Sequence, residues 1–182
     1  GTPGQWYLHI FDTTQPDVNW ENEEVRAEYD DILRFWLDRG VDGFRVDVAH
    51  GLVKDQTFPD TTGSMHTAEN APGHRMPMWD QDGVHDIDRR WRRILDEYTV
   101  PGDPDSERIL CAEAWVQPEE ALARYVRPDE MHQAFNFEFL DTRWDPAGYR
   151  HVITESYRSN DAVGAPTTWV LSNHDVLRHA TR

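Results

Sequence analysis

A single cysteine, Cys111, stands in the whole chain. No intrachain disulfide can form, and the position of Cys111 inside an apolar run marks it as a small buried filler. Basic side chains are also scarce: 18 Lys and Arg face 34 Asp and Glu, giving a formal net charge of -16 and a pI near 4.8. Binding a phosphate backbone draws on clustered Lys and Arg, so this balance excludes nucleic acid as a partner. No apolar run approaches the roughly 20 residues of a membrane span, and no secretory leader opens the chain. The expectation is a cytoplasmic protein with no membrane attachment.

Aromatic residues, by contrast, are plentiful, at 12% with eight Trp, many of them beside Asp, Glu, Asn or His. Individually these suit core packing; together they also suit a sugar-binding surface. Helical and strand-like periods alternate along the chain, the pattern of a parallel α/β architecture. Helical spacing is expected over 23–39, with Val25, Tyr29, Ile32, Phe35 and Trp36 on one face, Asn22 as cap and Gly40 as terminator. A second helix carries Val84, Ile87, Trp91, Ile94, Leu95 and Tyr98 and closes at 101–104. Pro118 fits the first turn of a third, through Leu122, Tyr125 and Val126. A fourth spans 147–159, burying Tyr149, Val152, Ile153 and Tyr157.

Strands are expected at 43–48, 108–114, 133–139 and 168–172, with a further strand-like run at 5–11. The stretch 54–82, rich in Pro, Gly, Thr and Asp, reads as a long functional loop. His50 and His85 have no partner spacing for metal binding and read as surface or supporting groups. The acidic run 21–24 reads as a solvated helix start that favours the helix dipole. Trp115 and Phe135 read as core or pocket wall.

Three of the strands carry an acid at the C-terminal tip: Gly43-Phe44-Arg45-Val46-Asp47, Ile109-Leu110-Cys111-Ala112-Glu113, and Trp169-Val170-Leu171-Ser172-Asn173-His174-Asp175. A carboxylate is costly to leave unpaired in a core, so acids at the ends of apolar strands imply a mouth open to substrate. A parallel β/α barrel gathers such tips at one end. The fold expected is α/β, part of a TIM (β/α)8 barrel, because 182 residues fall short of the roughly 250 typical of the whole. Four such strands would leave open edges, which favour pairing with a second copy as a homodimer.

Two carboxylates about 5 Å apart let a retaining glycosidase work, one attacking the anomeric carbon and the other moving the proton. Asp47, Glu113 and Asp175 supply two such groups and a third to favour the cationic transition state. Arg45, two residues before Asp47 on a strand, would face the same side and hold that carboxylate ionised. His174 would hydrogen-bond a sugar hydroxyl.

At these residues the chain resembles the α-amylase superfamily of glycoside hydrolases, family 13, and most of all its α-glucosidase and oligo-1,6-glucosidase branch. The resemblance rests on 43–47, on Ala112-Glu113-Ala114-Trp115, on Ser172-Asn173-His174-Asp175, on Gln15-Pro16-Asp17-Val18-Asn19-Trp20, and on 132–140 with Phe135-Asn136-Phe137. It implies Asp47 as nucleophile, Glu113 as acid/base and Asp175 as transition-state stabiliser. Arg45, His174 and Arg182 are then implied as substrate-binding residues. It further implies that 1–20 is the end of an inserted B domain and that 21–182 holds barrel strands four to seven. The implied substrate is a small α-glucoside, with no cofactor and no metal assigned to this segment. Val48, just after the implied nucleophile, tilts the expectation toward α-1,6 links. Transglycosylating relatives, such as sucrose isomerases and trehalose synthases, share the first step. Transporter-associated scaffold proteins of the superfamily are a non-catalytic alternative, and the isolated segment is expected to lack turnover.

Overall fold

The structure, a computed structural model, describes residues 3–60 and 76–181. Much of the expected loop 54–82 and the terminal Arg182 therefore lie outside the described residues. The elements run α1 (Glu23–Leu37), β1 (Gly43–Val46), α2 (Val84–Asp96), β2 (Ile109–Ala112), α3 (Glu119–Ala123), β3 (Gln133–Asn136), α4 (Phe137–Asp141), α5 (Pro146–Asp161) and β4 (Thr168–Trp169). The strands form one parallel sheet in the order β1-β2-β3-β4. Parallel neighbours need a crossover, and helices supply it between each pair. All four C-terminal tips therefore point to the same end, as in part of a (β/α)8 barrel.

Local chemistry accounts for the boundaries. The Asn22 side chain accepts from the Glu24 amide at 3.0 Å, while Glu23 and Glu24 lie in the first turn of α1, where the dipole favours negative charge. Gly40 ends the helix with φ +85°, a conformation only glycine adopts without strain. Asp145 caps α5 through the amides of Ala147 and Gly148. Gly43 is required by close approach: a Cβ there would stand 2.4 Å from the Ile109 carbonyl oxygen on β2.

The main core lies between the sheet and α1 and α2. Leu110, Ala112 and Ala134 from the strands meet Val84, Ile87, Trp91, Ile94 and Leu95 from α2 and Leu33 and Leu37 from α1. Trp20 packs at 4.5 Å from Tyr29 and 5.6 Å from Trp91 between ring centroids, joining the segment before α1 to both helices. Burying a side chain of this size removes enough apolar surface to contribute about 2–3 kcal/mol. Residues 5–11 form no strand, contrary to expectation, and lie in a segment that reaches Asp17. They are tied down instead by Lys54, buried, whose Nζ donates to Asp17 Oδ1 at 2.6 Å, while Asp17 Oδ2 accepts from the Ile10 amide at 2.8 Å.

Other expectations are corrected here. On α1 the buried residues are Leu33 and Leu37, whereas Ile32, Phe35 and Trp36 are exposed, because α1 meets the core through the i, i+4 stripe Val25-Tyr29-Leu33-Leu37. Tyr157 is likewise exposed on α5. β1, at the sheet edge, is half-buried rather than buried. β3 stops at Asn136, whose Oδ1 accepts from the Phe139 amide and starts a helix at Phe137, and β4 ends at Trp169. His50 and His85, expected as surface or supporting groups, are buried, which removes the surface alternative. Among the described residues, no helix is long and apolar enough to cross a membrane.

Candidate active site

The tips of β1 and β2, hydrogen-bonded neighbours, bring three of the expected residues together. Arg45 and Asp47 are two apart at the end of β1 and so share a side; Arg45 Nη1 donates to Asp47 Oδ1 at 2.5 Å. The same guanidinium places Nη2 4.0 Å from Glu113 Oε2, so one cation serves both carboxylates. The two acids differ sharply in surroundings. Asp47's side chain is 71% exposed and that of Glu113 only 7%.

Glu113 is enclosed but not unpaired. Its Oε2 accepts from the Val48 amide at 2.8 Å and its Oε1 from the Trp115 indole Nε1 at 2.8 Å. Main-chain bonds from Glu113 N to Val46 O and from Ala49 N to Glu113 O, both 2.9 Å, continue the strand pairing past its formal end. Val48 achieves its position in the left-handed region, at φ +47°, which is strained for a β-branched residue. Three polar contacts in place of water keep a buried carboxylate tolerable. Asp47 and Val48 also line a crevice of about 180 Å³, with Phe11, Asp17, Tyr29 and Lys54 among its other walls.

Asp175 and His174 stand apart from this group. The chain leaves strand geometry after Trp169, and Asn173 Oδ1 then accepts from the Asp175 and Val176 amides at 3.0 and 3.2 Å. Asp175 Oδ1 lies 3.5 Å from His174 Nε2, and both side chains are exposed. Among the described residues, neither makes a hydrogen bond or ion pair with Arg45, Asp47 or Glu113.

Several polar groups near the site make contacts that the sequence does not reveal. Trp115, read only as core or wall, is a hydrogen-bond donor to Glu113; its placement two residues on, in extended chain, is a signal that identifies it as a same-side neighbour. Its ring lies on Phe137 at 4.1 Å and 12°. Below, at the end of β3, Asn136 Nδ2 donates to Glu119 Oε1 at 2.9 Å and to Ser156 Oγ at 2.7 Å, all three residues being buried. Burial pushes the Glu119 carboxyl up to about 7, against the hydrogen bonds from Asn136 and Ser156. His50 stacks on Trp79 at 4.7 Å, and burial lowers its pKa to about 4, so it is neutral at physiological pH.

His85, Asp88 and Glu130 form a second buried cluster, with one ligand-type atom from each within 4.8 Å of the others. His85 Nδ1 is already bonded to Glu130 Oε2 at 2.6 Å. Glu130 Oε1 is taken by Arg89 at 2.8 Å and by Arg127. Burial, then the Glu130 charge, pushes the Asp88 carboxyl well above the usual range. With two guanidinium groups already on Glu130 the cluster makes a poor cation site, and it reads as a structural knot between α2 and the approach to β3.

Comparison with known proteins bears on this arrangement. The α-amylase catalytic-domain family matches residues 2–182. Trehalose-6-phosphate hydrolase of Bacillus subtilis (strain 168) is 30% identical over 192 residues, covering 98% of this chain and 32% of that protein. Oligo-1,6-glucosidase of Heyndrickxia coagulans is 34% identical over 150 residues, covering 80% of this chain and 25% of that protein. The crystal structure of an α-glucosyl transfer enzyme superimposes with a TM-score of 0.76 at 29% identity, covering 94% of this chain and 32% of that one. The chain spans about a third or less of the length of the curated relatives it matches. With parallel strands whose tips present Arg45, Asp47 and Glu113, the chain belongs to the α-amylase family of glycoside hydrolase catalytic domains, of which it holds a part.

Proposed function

We propose that the protein carrying this chain is a retaining, exo-acting α-glucosidase that removes terminal glucose from small α-glucosides. The observation that carries this reading is the pair of unlike carboxylates on one guanidinium: Asp47 open to solvent, Glu113 enclosed and held by two donors. In the first step an Asp47 carboxylate oxygen attacks the anomeric carbon, the glycosidic C–O bond breaks, and Glu113 gives its proton to the departing oxygen. In the second, Glu113 takes a proton from water, the water oxygen bonds to the anomeric carbon, and Asp47 is released. Arg45 aims Asp47 and offsets its charge. Asp175 is the third acid of this reading, stabilising the cationic transition state, with His174 and Arg182 binding the substrate.

The domain reading goes with it: 1–20 as the end of an inserted B domain and 21–182 as the partial barrel. Val48 carries the tilt toward α-1,6 links. A cytoplasmic setting is part of the same reading. The isolated chain is expected to lack turnover, because the pocket is built on one side only. It is expected to pair as a homodimer through its open edges and exposed aromatics such as Phe35, Trp36 and Trp144. Light scattering that gives a monomer with full turnover would contradict both.

A transfer reaction is the second reading, supported by the likeness to the α-glucosyl transfer enzyme. Proton NMR of products in the first minutes of reaction separates the possibilities. Release of α-glucose supports the hydrolytic reading, β-glucose overturns retention, and new disaccharide without free glucose favours transfer.

A further inference from the structure

We propose that Trp115 is a positioning residue for Glu113, with its indole N–H fixing the carboxyl group in the direction from which it delivers a proton. The proposal rests on Glu113 as the acid and base. Glu113 sits just past the formal end of β2, where the continued strand pairing holds its backbone but leaves its side-chain rotation free. Two donors act on it from opposite oxygens: the Val48 amide from β1 and the Trp115 Nε1 from beyond β2, both at 2.8 Å. A bond from each side removes the rotation that either alone would leave free.

Trp115 is itself held from beneath. Its ring lies flat against Phe137, 4.1 Å away and within 12° of parallel, and Phe137 is buried as the first residue of α4. That helix begins where it does because Asn136 accepts from the Phe139 amide at 2.8 Å. Asn136 cannot swing away, since its amide nitrogen is bonded to both Glu119 and Ser156. Rigid groups thus run from the buried end of β3 to the enclosed carboxyl. A proton donor needs alignment within tenths of an ångström, and misplacement by about 1 Å costs about 100-fold in rate.

Trp115→Phe keeps a ring on Phe137 and deletes the donor. The experiment is made in the protein with its complete catalytic domain, comparing an alkyl α-glucoside, whose leaving group needs a proton, with a dinitrophenyl α-glucoside, which does not. Glu113→Gln and the double variant complete the cycle. Trp115→Phe is expected to lower kcat/KM, which reports only the first step, about 10- to 100-fold on the alkyl substrate, with kcat/KM on the activated substrate nearly unaffected. That loss is expected to disappear in the Glu113→Gln background. Equal loss on both substrates, or a loss that multiplies with that of Glu113→Gln, overturns the proposal and makes Trp115 merely structural. If Glu113→Gln itself shows no dependence on leaving group, the acid assignment has failed, and the positioning proposal falls with it. Thermal melting of Trp115→Phe close to that of the parent shows that the ring still packs; if that variant does not fold, Trp115 replaced by its benzothiophene analogue makes the same deletion with the ring shape kept.

Discussion

Glu119→Gln turns a buried titration into a measurable change in stability. The Glu119 carboxyl is 6% exposed, bonded to Asn136, and pushed by burial from 4.5 to about 7. Between those values the folded chain holds a proton that the unfolded chain has released. Stability therefore falls as pH rises through that window: the contribution is fully present below about 4.5 and lost by the time pH passes about 7. An interval of about 2.5 pH, from 4.5 to about 7, corresponds at about 1.4 kcal/mol per pH to roughly 3–4 kcal/mol, an order-of-magnitude figure. Gln has the same shape, keeps an oxygen for the Asn136 amide, and never ionises. Urea unfolding of parent and variant at one fixed protein concentration, in steps from about pH 5 to about pH 8.5, tests this. The variant should lie close to the parent at the acid end and above it by up to roughly 3–4 kcal/mol at the alkaline end. Parallel curves across the range would refute the claim that Glu119 is buried with its proton.

Two further outcomes follow from packing. Gly43→Ala places a Cβ against the Ile109 carbonyl, so the edge pairing of β1 with β2 must spread, with destabilisation of about 1–3 kcal/mol in urea unfolding; an unchanged midpoint would contradict the contact. Lys54→Met leaves the largely buried Asp17 without its cation. Limited proteolysis should then cut within residues 5–17 faster than in the parent while α2 and the sheet stay protected, and an unchanged cleavage pattern would show that Lys54 is not the tie.

Much of the frame is legible in the sequence because short apolar runs and helical stripes report burial directly. The four strands, their order and the stripe on α2 from Val84 to Leu95 follow from that pattern. The misreadings share a cause: periodicity describes which residues are apolar, not what else is near them. Phe135, Phe137 and Phe139 alternate as in a strand, yet the Asn136 side chain competes for the Phe139 amide and turns the chain into α4. Ile32, Phe35 and Trp36 are as apolar as Leu33 and Leu37, but only one stripe of α1 faces the core. His85 is polar and interrupts the apolar stripe of α2, and it takes Glu130, far along the chain, to make its burial tolerable. At the site, Arg45, Asp47 and Glu113 are legible from strand-tip position, whereas the hold on Glu113 is not, since it depends on the left-handed turn at Val48 and on the stack beneath Trp115.

The central claim is that Asp47 is the nucleophile, and it is tested most directly by trapping. The protein with its complete catalytic domain is treated with 5-fluoro-α-glucosyl fluoride, which forms the glucosyl ester quickly and releases it slowly, then digested and examined by mass spectrometry. The account predicts one fluoroglucosyl group on the peptide containing Asp47, and none after Asp47→Asn. A label on another carboxylate, or turnover with inversion and no label, would contradict it.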